Sequence, residues 1–139
     1  MKRKILLIGA GALLAALLAG FIWWHLPTVF LKNVAPADVA RIEVFNGTSG
    51  ERFVIEDADD IEYIVRKISD VKMRKEKWGD VDGFVYSLSF YAKDDTLLER
   101  FALNSTEHIR DGNVGYKCAY ETEEDALCFA YIKAIEATK

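Results

Sequence analysis

The sequence predicts an α+β fold: an N-terminal transmembrane helix, then an antiparallel sheet with two helices packed on one face. Three observations carry this expectation. Residues 5–26 form an unbroken apolar run behind Met1-Lys2-Arg3-Lys4. Two later segments repeat apolar residues at helical spacing. Between and around them lie short β-rich stretches separated by Gly, Asn and Asp, the residues that turns require.

The apolar run, from Ile5 to Leu26, is long enough as a helix to cross a hydrocarbon core of about 30 Å. A cleaved signal peptide carries an apolar region of only about 7–15 residues, so a retained signal anchor over residues 1–27 is the expectation. Lys2, Arg3 and Lys4 precede the span, and flanking cations stay cytoplasmic, which sends the rest of the chain outward. Trp23 and Trp24 mark the far interface, and Pro27 suits a helix exit. The competing reading is a secreted domain cleaved after Ala35-Pro36-Ala37, a small-x-small pattern. Gly11, Ala15 and Ala19 recur every fourth residue and would allow close approach of a second helix. Gly9 and Gly11 superficially suggest a dinucleotide-binding turn, but Leu14 stands where that fingerprint needs Gly or Ala.

After a short stem over residues 28–37, residues 38–139 are expected to form one extracytoplasmic domain of about 100 residues, a common domain size. The chain's formal charge is −4, and removing the three cations ahead of the span leaves −7. Such an acidic domain is no nucleic-acid partner, which needs a basic footprint.

Within the domain, residues 40–45 and 51–55 flank Asn46-Gly47-Thr48-Ser49-Gly50 and read as a hairpin. Ile61, Ile64, Val65, Ile68 and Val71 then share one helix face. Asp57 is the candidate cap, and Asp59 and Asp60 oppose the positive end of the helix dipole. Residues 71–78 are basic, with Lys72, Arg74, Lys75, Lys77 and a terminal Trp78. Two readings stand: an edge strand whose lysines discourage sheet pairing, or a contact surface for an envelope protein or an anionic envelope polymer or headgroup. Gly79-Asp80-Val81-Asp82-Gly83 lacks the further ligands of a calcium loop and reads as a turn.

Residues 84–91 alternate cleanly, with Phe84, Tyr86, Leu88 and Phe90 on one face and Ser87 and Ser89 on the other. Lys93-Asp94-Asp95 turns the chain into a partner strand over residues 97–103. Residues 108–110 and 114–120 bracket Asp111-Gly112-Asn113, a hairpin signal. Residues 123–137 close the chain as a helix, with Thr122 as candidate cap.

Cys118 and Cys128 fit no zinc pattern. Outside the cytoplasm a disulfide between them can persist; two buried free thiols are the alternative. Ser105, Glu107 and His108 are the sole catalytic candidates, and an extended strand sends neighbours to opposite faces. The expectation is therefore a binding module, not an enzyme, with no metal and no cofactor. The alternatives are an accessory subunit recognised through its transmembrane helix and, behind it, a hydrolase.

The anchor, the β-β-α-β-β-β-β-α order and the strand over residues 83–91 together resemble the small signal-anchored extracytoplasmic domains of unknown function found in Gram-positive bacteria. The resemblance implies a membrane-tethered, outward-facing domain and brings no catalytic residues with it. The cysteine pair departs from that pattern.

Overall fold

The computed structural model describes residues 1–78, 85–106, 108–111, 118–121 and 127–139, with backbone alone at residues 76–78, 111 and 118–121. The apolar run folds as α1 (Lys2–His25), in which no residue is fully buried and Trp24 is partly so. A straight helix of 24 residues is about 36 Å long, and α1 is long and apolar enough to cross a membrane. Leu26 leaves the helix in extended conformation, as the residue before a proline must.

A short 3₁₀ turn (Pro36–Asp38) leads into β1 (Arg41–Asn46) and β2 (Arg52–Ile55). Asn46 closes this hairpin: its Oδ1 accepts from the backbone N–H of Thr48 at 2.8 Å and Ser49 at 3.1 Å. Gly50 takes the positive φ of +79° that the loop needs. α2 (Ala58–Ser69) follows, capped by the Asp57 carboxylate, which accepts from Asp59 N and Asp60 N. Its buried stripe is Ile61, Ile64, Val65 and Ile68.

The chain then crosses from one sheet edge to the other. β3 (Arg74–Trp78), β4 (Tyr86–Tyr91), β5 (Leu97–Leu103), β6 (His108–Asp111) and β7 (Cys118–Glu121) complete an antiparallel sheet in the order β2-β1-β4-β5-β6-β7-β3. β4 is internal, as its clean alternation implies, and β3 is an edge strand with an irregularity between Lys75 and Lys77. Directly paired residues share a face. Val44 opposite Leu88, and Leu88 opposite Phe101, therefore place three buried side chains in one row. Tyr86, Leu103 and Ile109 make the next.

Both later helices, α2 and α3, lie on this apolar face. α3 (Phe129–Glu136) buries Ile132 and sets Phe129 against Tyr86, ring centroids 5.3 Å apart. Tyr131 Oη donates to Asp60 Oδ1 at 2.6 Å and its ring meets Tyr63 at 4.2 Å, which ties α3 to α2. The helix is shorter than its apolar pattern suggests. Cys128, expected on its inward face, is instead the residue before its first turn, at φ 58°. Thr122 and the acids at residues 123–125 lie outside the described residues, as do Phe84, the turns over residues 79–83 and 112–113, and Glu107.

The segment expected as a stem, residues 28–37, supplies core. Thr28 and Met73 exchange two backbone hydrogen bonds of 2.8 Å. Phe30 is 5 % exposed and Leu31 1 %, and the Phe30 ring sits 5.3 Å from Phe101. Leu31 holds a left-handed φ of 59° while its N–H donates to Glu99 Oε2 at 3.1 Å. The fold therefore begins ahead of Asp38, because this short apolar pair fills the end of the core that β5 leaves open.

Phe30→Ala should cost about 3–5 kcal/mol, the usual loss for a buried phenylalanine. Denaturant melts of the detergent-solubilised full chain measure it; a change within about 0.5 kcal/mol, typical of surface sites, would restore the stem.

Glu136 accepts from Tyr86 Oη at 2.6 Å and Asn46 Nδ2 at 2.7 Å, and these bonds hold its carboxyl below the ordinary value. Its contribution to stability is present above the unfolded value of 4.5 and is lost as pH falls through the lower folded one. Tyr131, pushed up to about 12 by its bond to Asp60 and then by burial, contributes stability that is full below 10 and lost as pH rises towards 12. Glu136→Gln should flatten the acid limb of a stability–pH profile and Tyr131→Phe the alkaline limb. Unchanged limbs would show that these bonds do not hold α3.

Candidate functional site

Among the described side chains of the basic stretch, Arg74 and Lys75 do not share a face. Adjacent residues of a strand point to opposite faces, which separates Arg74 from Lys75. Lys72 and Arg74 are exposed; the side chains of Lys77 and Trp78 lie outside the described residues. Lys75 is turned onto the end of α1. Its Nζ donates to the carbonyl oxygens of Trp23 at 3.0 Å and Leu26 at 3.2 Å, and lies 4.6 Å from the centre of the Trp23 ring. The last carbonyls of a helix have no partners within it and carry its negative dipole end. A lysine ammonium supplies both donor and charge. Trp24 packs against the core of the domain, so α1 joins the domain through Trp23, Trp24, Thr28 and Lys75 together.

Ser105 Oγ and His108 Nδ1 lie 2.8 Å apart. The contact spans the turn between β5 and β6 and brings together residues three apart. Neither residue lines the cavity described next.

Among the described residues no helix covers the opposite sheet face, which holds a cavity of about 420 Å3, within the usual range for ligand pockets. Strand register builds its floor and walls. One row across β2, β1, β4 and β5 reads Arg52, Phe45, Ser87, Ala102; the next reads Val54, Glu43, Ser89, Arg100. Arg110 on β6 extends the first row. The two serines leave the floor low, and Ser89 is only 8 % exposed.

Each cation is held in place. Arg52 lies over the Phe45 ring, 4.6 Å from its centre. Arg100 donates through Nε to Ser89 Oγ at 2.9 Å and through Nη2 to Tyr91 Oη at 3.4 Å. Glu43, the acid of this face, accepts from Arg41 Nε at 2.9 Å, and Arg41 also bonds Asp95 at 2.6 Å. These partners raise the Arg41 pKa further, Asp95 more than Glu43. A larger hollow of about 640 Å3 lies between residues 35–40 and α2. Its lining carries two acids, Glu56 and Glu62, and two bases, Arg66 and Lys93, with Glu62 and Arg66 paired at 2.7 Å, so it shows no excess of either charge and the sheet face is the stronger candidate.

Sequence reasoning placed Ser87 and Ser89 on the solvent face but did not assemble Arg52 and Arg100 beside them. Those arginines come from strands separated by two others in the sheet, and only register brings them together.

Cys128 is buried and its thiol is free. Burial pushes its pKa up to about 12, so it stays protonated at neutral pH. The Cys118 side chain, and with it the expected pairing, lies outside the described residues. Among the described residues no cluster of acids, histidines and cysteines is placed to hold a metal ion.

Comparison with protein-family models, with curated proteins and with solved structures yields no match to this chain.

Lys75→Met should cost about 1–3 kcal/mol, since it deletes charge-assisted bonds to two helix carbonyls and a cation–π contact. It should also open residues 26–29 to protease in nanodiscs. Unchanged stability with unchanged cleavage would mean that the contact does not join α1 to the domain.

Proposed function

We propose that this chain is a single-pass, membrane-anchored extracytoplasmic binding module whose working surface is the open face of its sheet. The observation that carries this reading is the one-sided covering: both ectodomain helices occupy one face, while the other is left concave with a cavity of about 420 Å3. An antiparallel sheet tolerates such exposure, and a cavity lined by aromatic and arginine side chains has the composition that interfaces favour.

Retention of the anchor is supported by the core. Cleavage after Ala37 would remove Phe30, Leu31 and the Thr28–Met73 pairing, all of which stabilise the domain. The cations Lys2, Arg3 and Lys4 support a cytoplasmic N-terminus. The layout shared with signal-anchored domains of Gram-positive bacteria agrees with an outward-facing domain.

A second reading, an accessory subunit recognised through its span, draws on α1 itself. No part of the domain covers its small-residue positions, and a Cβ built at Gly9, Gly11 or Gly20 would meet nothing within 4 Å.

A photo-crosslinking residue placed at Ser87, at Lys72 or at Gly11 in the native membrane separates these readings. Capture of one specific protein or polymer from Ser87 is the expected result. Capture from Gly11 alone would move recognition to the span. Capture from Lys72 alone would restore the basic stretch as the contact surface.

A further inference from the structure

Charge is segregated in this domain. The acids Asp57, Asp59 and Asp60 gather at the start of α2, on the covered side of the sheet. The open face carries Arg41, Arg52, Arg100 and Arg110 around Glu43. In a chain of formal charge −4, this is a local reversal of sign.

The partners of Arg52 and Arg100 sharpen the contrast. Among the described residues neither has a carboxylate against it: Arg52 rests on an aromatic ring, and Arg100 is tied to two hydroxyls. Neutral partners fix the position of a guanidinium without cancelling its charge. A guanidinium has five N–H donors, and Arg100 spends two of them on Ser89 and Tyr91. Its remaining donors, like those of Arg52, are available in the planar fork that matches carboxylate and phosphate. The two arginines rise from strands three spacings apart, about 14 Å at the backbone. Both line one cavity with the Ser87 and Ser89 floor between them. Val54 and Phe45 make the apolar end of the same cavity.

We infer that this cavity is a binding site for a small amphipathic oxyanion. A carboxylate or phosphate group is held between Arg100 and Arg52 with Ser87 donating from below, and an apolar body lies against Val54 and Phe45. The assignment rests on the open-face reading above and names the class of ligand that face takes.

The test uses the full chain in phosphatidylcholine nanodiscs, titrated with phenyl phosphate, with 4-phenylbutyrate and with the neutral 4-phenylbutanol. Saturable binding of at least one anion is expected, with Kd near or below about 1 mM, the range open to ligands of about a dozen heavy atoms. The tighter of the two anions tells whether phosphate or carboxylate is preferred. Arg100→Gln and Arg52→Gln should each weaken binding about tenfold, while Lys93→Gln, a change of equal charge outside the cavity, should not. Among the described residues the Arg52 side chain makes no hydrogen bond and rests on the Phe45 ring alone, so its variant remains informative if Arg100→Gln melts early. Equal binding of the alcohol, or anion binding that survives both arginine variants, overturns the inference. Failure of both anions alongside specific crosslinking from Ser87 overturns the inference and leaves the open-face reading standing; failure of the two experiments together removes both.

Discussion

The structure depends on how an apolar helix ends. A backbone leaving hydrocarbon exposes carbonyls that the helix cannot satisfy, and the cost of leaving them unpaired rises as the surroundings become drier. Here the end of α1 is met by the domain itself. Lys75 reaches the carbonyls of Trp23 and Leu26, and Thr28 pairs with Met73 at the start of the edge strand. The same two contacts shield β3, the edge most open to unwanted pairing. Chain exit and edge protection are thus solved by one set of residues.

From that junction the rest follows in order. Fixing Thr28 against Met73 brings Phe30 over Phe101 and Leu31 into the core, so the core starts close to the end of α1 and not after a linker. Because β3 is the strand adjoining α1, α2 must carry the chain across the whole sheet from β2, and in doing so it covers one face. α3 completes that cover, held by Glu136 to Asn46 and Tyr86 and by Tyr131 to Asp60. Once both helices are committed to one side, the other face has nothing in the described chain to cover it.

Much of this architecture was legible in the sequence. Period-two alternation in residues 84–91 announced an internal strand with its serines outward, and the spacing of Ile61, Ile64, Val65 and Ile68 announced α2 and its buried stripe. Such patterns are local, and each reports burial along one element. What they do not contain is register, and the cavity is made of register: Arg52 and Arg100 stand 48 positions apart in numbering and line one cavity only because Arg52 falls in a row with Phe45 and Ser87 while Arg100 falls in the next row with Val54, Glu43 and Ser89. Phe30 and Leu31 were missed for a different reason. Adjacent apolar residues in the short segment between Pro27 and Pro36 have no period to detect. The basic run of residues 72–78 was legible as an edge strand, which β3 is, whereas the use that α1 makes of Lys75 depends on a contact with Leu26, 49 residues away, and has no local pattern.

The partners chosen for the arginines bear on what the open face is for. A sheet surface that needed only solubility would neutralise its cations with nearby acids, and this domain has acids to spare. Arg41 follows that pattern, bonded to Glu43 and Asp95. Arg52 and Arg100 do not; an aromatic ring, a serine and a tyrosine hold them instead. Cross-strand carboxylates would have been worth a few tenths of a kcal/mol to about 1 kcal/mol each. Among the described residues no carboxylate stands against these two guanidinium groups, and neutral partners hold them above a floor of small hydroxyls, as the proposed anion would require.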